Sequence, residues 1–138
     1  MKQIHFTIFL LLISFVAFSQ QNPVILGAEQ TKAYLPILKN KRVALFSNHT
    51  GMVGSKHTLD ILLENKINVV AIFSPEHGFR GNADAGEHVS SSVDEKTGVP
   101  ILSLYDGDLG RPGEANMRKF DILVVDIQDV GLRFYTYY

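Results

Sequence analysis

Ser74-Pro75-Glu76-His77-Gly78-Phe79-Arg80-Gly81 brings an acid, an imidazole and a guanidinium together among glycines. A carboxyl beside an imidazole can deliver or accept a proton at a reacting atom. Burial would raise the Glu76 pKa toward that of a general acid, whereas a neighbouring cation would lower it. The structural reading of the same residues has Glu76 paired with Arg80 or tying down a turn. His77 is either a second catalytic group, an orienter of Glu76 or a ligand for substrate hydroxyls. A second cluster, Asp126-Ile127-Gln128-Asp129-Val130-Gly131, leads into Arg133-Phe134-Tyr135-Thr136-Tyr137. Asp126 and Asp129 offer the second carboxylate that glycoside hydrolysis commonly uses. Alternatively they anchor a strand end, with Asp129 paired to Arg133. Gln128 suits hydrogen bonding to a sugar hydroxyl or amide. Phe134, Tyr135 and Tyr137 either stack on a sugar ring or pack into a core. In a third cluster, Asn48-His49-Thr50-Gly51, Asn48 and His49 line a pocket or simply make a turn. The same residues match a glycosylation sequon.

Each cluster follows an apolar run, and those runs define the scaffold. Arg42–Ser47, Val69–Phe73, Val99–Tyr105 and Ile122–Asp126 read as buried parallel strands, short and rich in β-branched residues. Gln30–Lys39 reads as a helix interrupted by Pro36. Ser55–Lys66 reads as an amphipathic helix with Leu59, Leu62 and Leu63 on one face and Ser55 as its N-cap. A polar stretch from Gly81 to Gly98 reads as a loop, and Glu114–Lys119 as a short helix. The alternation predicts an α/β class: a Rossmann-like, doubly wound, mainly parallel sheet with helices on both faces. In such a sheet, ligands bind beyond the carboxyl ends of the strands, where all three clusters fall.

No cofactor is called for, because Gly107, Gly110 and Gly113 do not form a dinucleotide fingerprint. No metal is called for either. Glu76, His77, Glu87, His88, Asp126 and Asp129 are potential ligands, but no His-Glu-x-x-His or calcium-loop spacing joins them. A formal net charge of −1 argues against a nucleic-acid partner.

Residues 1–19 read as a signal peptide, with a run of about thirteen mostly apolar residues from Phe6 to Phe18, short for a membrane span. A cut after Ser19 leaves 20–27 as a linker and 28–138 as one domain, exported to the periplasm or secreted by a bacterium, with no stable membrane insertion. The chain has no cysteine, which removes both a disulfide framework and a lipid-anchored terminus. Tyr137-Tyr138 closes the sequence in mid-pattern, so the domain reads as truncated.

With these motifs in order, the chain resembles the exo-β-N-acetylmuramidase (NamZ-like) family. The resemblance rests on Ser47–Gly51, Pro75–Gly81, Ala85-Gly86, Thr97–Pro100, Ser103–Tyr105 and Asp126–Gly131 through Arg133–Tyr137. It implies release of N-acetylmuramic acid from the non-reducing ends of peptidoglycan fragments, with those muramic-acid glycans as partners, by a Rossmann-like domain that faces a second, C-terminal domain. It implies Glu76 as the prime catalytic residue, with His77, Asn48, Gln128 and Asp129 as pocket residues. Asp106–Gly113 departs from the family pattern, with Asp106 in place of a glycine.

Overall fold

The computed structural model describes residues 24–75, 79–80, 92–104, 113–128 and 131. The expected signal peptide lies outside them. After a 3-10 turn at Gly27–Glu29 come α1 (Thr31–Leu38), β1 (Arg42–Ser47), β2 (Met52–Val53), β3 (Lys56–His57) and α2 (Thr58–Glu64). Then follow β4 (Asn68–Ser74), β5 (Ser92–Val93), β6 (Pro100–Ser103), α3 (Glu114–Met117) and β7 (Ile122–Asp126). The main sheet has the order β5-β6-β4-β1-β7, and β2-β3 forms a separate hairpin. β4 and β7 both lie parallel to β1, β6 lies parallel to β4, and among the described strands of this sheet only β5 runs antiparallel. This is the Rossmann-like α/β sheet with helices that the alternation predicts.

Pairing register shows why the strands read as continuous apolar runs. Val43 and Leu45 of β1 align with Val69 and Ile72 of β4 and with Ile122 and Val124 of β7, while Ile72 aligns with Ile101 of β6. These side chains share one core with Leu38 of α1 and with Leu59 and Leu62 of α2. Ala44 and Phe46 instead align with Ala71 and Phe73 on the opposite face, beside Leu123 and Val125. There the ring of Phe120, just after α3, meets Phe73 edge-on at 5.8 Å. A strand buried on both sides cannot alternate polar with apolar. β7, which among the described residues neighbours β1 alone, does alternate in burial, leaving Val125 59% exposed.

Two local expectations are corrected. The helix expected from Ser55 begins at Thr58, because Gly54, at φ +59, opens a tight two-residue turn with Ser55 that pairs β2 with β3. Ser55 therefore caps nothing, and His57 takes that position. Within the stretch read as a loop, Ser92–Val93 pairs with Pro100 and Ile101. α2 ends in a Schellman motif, with Ile67 N–H bonded to Leu62 O (3.0 Å) and Lys66 N–H to Leu63 O (2.9 Å), and Lys66 at φ +60. Pro36 sits inside α1, which stops two residues later at Leu38.

Candidate active site at the carboxyl edge of the sheet

The chain steps outward from β1 to β4 to β6, then returns to lay β7 on the other side of β1. The switch point thus lies between the carboxyl ends of β1 and β7, where Ser47 aligns with Asp126. Open α/β sheets bind ligands at such points because the loops diverge there and leave a crevice. A cleft of about 540 Å³ opens at this position, lined in part by Thr50, Thr58, Asp126, Ile127 and Gln128, with Tyr34 and Met52. That volume lies within the range of small-molecule sites.

Asp126 ends β7 and accepts a short hydrogen bond from the Thr58 hydroxyl at the start of α2. Gly51 packs so closely that a Cβ there would stand 2.3 Å from Ser47 Oγ and 3.1 Å from Asp126 Oδ2. A glycine is what lets the turn after β1 pass beside the carboxylate. Across the cleft the Tyr34 hydroxyl donates to Ala28 O at 2.9 Å. Burial, and then the charge of Asp126, push its pKa up.

Asn48 is buried and builds the turn. Its Oδ1 accepts from Thr50 N–H at 2.9 Å and from the Thr50 hydroxyl at 2.7 Å. Its carbonyl accepts from Gly51 N–H at 3.1 Å and lies 2.8 Å from His57 Nε2. His49 is exposed on the same turn. The other ring nitrogen of His57 accepts from Leu59 N–H at 3.1 Å and so caps α2. A nitrogen that accepts from a backbone N–H carries no proton, so His57 is the neutral tautomer that donates from Nε2 to Asn48. Burial holds its pKa below the ordinary value, outweighing the opposing bond to the Asn48 carbonyl.

Beyond β4, the described residues Pro75, Phe79 and Arg80 are each held by their neighbours. Pro75 is fully buried, and Phe79 is 2% exposed, its ring meeting that of His57 edge-on with the centroids 4.7 Å apart. Arg80 lies over the Phe79 ring and pairs with Asp94, Nε to Oδ1 at 2.9 Å and Nη2 to Oδ2 at 3.0 Å. Among the described residues, then, Arg80 finds its carboxylate in Asp94. Burial of Asp94 opposes its charge, but the bonds from Arg80 and Thr97 hold its pKa below the usual carboxylate range.

Asn48, Asp126 and Gln128 thus meet at one edge of the sheet, with His49 on the adjoining turn and Arg80 engaged elsewhere. Glu76, His77, Asp129, Arg133 and Tyr135 lie outside the described residues. Glu76 follows directly on buried Pro75 in the chain. The sequence reading missed His57, Thr58 and Asp94. A Gly-Ser pair between Val53 and Lys56 is a hairpin signal that would have placed His57 at the helix start. Asp94, with Thr97 and Gly98 after it, has the composition of a turn opener. No group of three or more His, Cys, Asp or Glu that could hold a metal ion occurs among the described residues.

The family model "Exo-beta-N-acetylmuramidase NamZ, N-terminal" matches residues 43–138. The chain is 52% identical over 106 residues to the peptidoglycan beta-N-acetylmuramidase NamZ of Bacillus subtilis (strain 168), covering 75% of this chain and 25% of that protein. A DUF1343 family protein of Bacteroides fragilis NCTC 9343, known from a crystal structure, aligns with a TM-score of 0.70 at 72% identity. That alignment covers 84% of this chain and 29% of the other. A second DUF1343 structure from the same strain aligns at 0.68 and 40% identity, covering 80% and 28%. The chain spans about a quarter of the length of the curated relative it matches.

Proposed function

The chain belongs to the exo-beta-N-acetylmuramidase NamZ family, whose N-terminal model it matches over residues 43–138, and we propose that it supplies the catalytic carboxylate of an exo-acting β-N-acetylmuramidase. Its substrates are peptidoglycan fragments, from whose non-reducing ends it releases N-acetylmuramic acid during cell-wall turnover or recycling. The observation that carries this reading is the join between the family match and the topology. The cleft at the switch point of the sheet is lined by Asp126 and Gln128, and both belong to the matched segment.

In this reading Glu76 protonates the leaving glycosidic oxygen as the bond to the anomeric carbon breaks. Either a carboxylate or the substrate's own 2-acetamido group supports the oxocarbenium-like transition state. Asp126, steadied by the Thr58 hydroxyl, is a carboxylate fixed at the cleft. Gln128 and the Asn48–Thr50 turn bind hydroxyl or amide groups of the sugar, with His77, His49, Asp129, Arg133 and Tyr135 as further pocket residues, while Arg80 stays with Asp94. The protein works in the periplasm or outside the cell, without a metal or organic cofactor.

The test is product identity. The 138-residue chain is compared with the Bacillus subtilis relative in which residues 43–138 replace the matching segment. Mass spectrometry then follows a muramic acid-glucosamine disaccharide carrying the natural N-acetyl groups. Free N-acetylmuramic acid from the hybrid supports the reading. A folded hybrid that binds the disaccharide and leaves it intact would favour a non-catalytic envelope module.

A further inference from the structure

A second groove, of about 490 Å³, runs between α1 and the end of α2. It lies across α1 from the cleft, which Tyr34 lines. Leu35 and Ile67 reach from the groove into the hydrophobic core and so make an apolar floor, extended by Pro36. Lys32 and Lys39 line the same groove. Positions 32, 35 and 39 share one face of a helix. Two turns of helix set the α-carbons of the two lysines about 10 Å apart, with the floor between them. Asn65 faces them from the end of α2. Its Nδ2 donates to Ile61 O at 2.8 Å, which leaves Oδ1 as an acceptor.

The fold makes no use of either lysine charge. Among the described residues, Arg42, Lys56, Arg80, Lys96 and Arg118 each pair with a carboxylate, whereas the side chains of Lys32 and Lys39 make neither an ion pair nor a hydrogen bond. No acid occurs from Gln30 to Leu59 to neutralise them. Glu64, beside Asn65 in the chain, is held through both oxygens by Lys56 at 2.7 Å. A lone exposed lysine is simply solvated, but two at the ends of an apolar floor select a ligand that is anionic at both ends and uncharged between. An extended peptide in the polyproline II form meets that demand. It rises about 3 Å per residue with three residues per turn, so acidic side chains three residues apart stand on one side, about 9 Å from each other. Its backbone also supplies an N–H for Asn65. A single small anion spans neither the distance nor the floor. Independently of how the cleft is read, we propose that this groove docks a short acidic peptide in extended conformation, with a carboxylate at each lysine.

The test is a ¹⁵N–¹H correlation titration of the 138-residue chain with the peptide acetyl-Glu-Ala-Ala-Glu-amide at low salt. The expected result is saturable shifts at Lys32, Leu35, Asn65 and Ile67, with Thr50 and Gln128 in the cleft unmoved. Combining Lys32→Glu with Lys39→Glu should weaken binding at least about tenfold, because two attractive contacts become repulsive. Raising the salt from about 20 mM to about 300 mM should weaken it several-fold, since exposed charges are screened. If the charge reversal disturbs the fold, Lys32→Gln with Lys39→Gln replaces it, with a loss of about fivefold. The proposal is overturned by equal shifts with the glutamine version of the peptide or with inorganic phosphate at the same concentration. Affinity unaltered in a folded lysine variant, or no saturable shift at the groove, overturns it as well.

Discussion

Gly51→Ala probes the junction on which the cleft depends. An added methyl stands 2.3 Å from Ser47 Oγ, 3.1 Å from Asp126 Oδ2 and 3.4 Å from the Asn48 carbonyl oxygen. Backbone strain plays no part, because Gly51 is not among the positive-φ residues. The Ser47 hydroxyl must rotate away and give up its 3.3 Å bond to the Asn48 carbonyl, a loss of about 1 kcal/mol. The Asp126 carboxylate must retreat by a few tenths of an ångström in a packed site, and such overpacking costs about 1–3 kcal/mol in all. Urea unfolding of Gly51→Ala should show a loss of about 2 kcal/mol with the m-value unchanged. Ser47→Ala removes the clashing atom, so the double variant should recover about 1 kcal/mol beyond additivity. A Gly51→Ala protein within about 0.5 kcal/mol of the parent, or a purely additive double variant, refutes the packing argument.

Other parts of the structure give sharper local tests. Lys66→Gly relieves a left-handed residue at the end of α2 and should raise stability by about 0.5–1 kcal/mol in urea melts. Burial depresses the His57 pKa, so as pH falls below about 6.5 the unfolded chain takes up the proton first. Stability should drop through that window until the folded value is passed, and His57→Asn, which retains an N-cap, should remove that component of the pH profile. Asp121 has its pKa lowered to about 2 by bonds from Arg42. Its contribution is therefore present above about pH 4 and disappears as pH falls toward the folded value. Asp121→Asn should flatten that acid limb in fluorescence-monitored unfolding.

Val43–Ser47 and Val69–Phe73 were legible because strands buried on both faces leave nothing polar between their ends, whereas Ile122–Asp126 reads the same way in sequence although its alternate residues are exposed. That the polar clusters follow those strands was legible for the same reason, and it placed Asn48, Asp126 and Gln128 at one edge. Strand order was not legible, since no residue in Ile122–Asp126 announces that β7 returns beside β1 and so creates the switch point. The β2–β3 hairpin was hidden by helical spacing that continues from α2 back into Ser55, and only Gly54 marks the break. The Arg80–Asp94 pair joins residues 14 apart, and a neighbouring Glu76 was the nearer partner by sequence. Long-range pairing of charges is decided by how the chain folds back, which local patterns do not contain.

The central claim is that Glu76 is the acid of a β-N-acetylmuramidase. Its most direct test measures turnover of a chromogenic β-N-acetylmuramoside by the hybrid enzyme and by its Glu76→Gln form, with binding of N-acetylmuramic acid followed by calorimetry. The account predicts a fall in kcat of at least about a hundredfold with affinity retained. Glu76→Gln turnover within about twofold of the parent would contradict it.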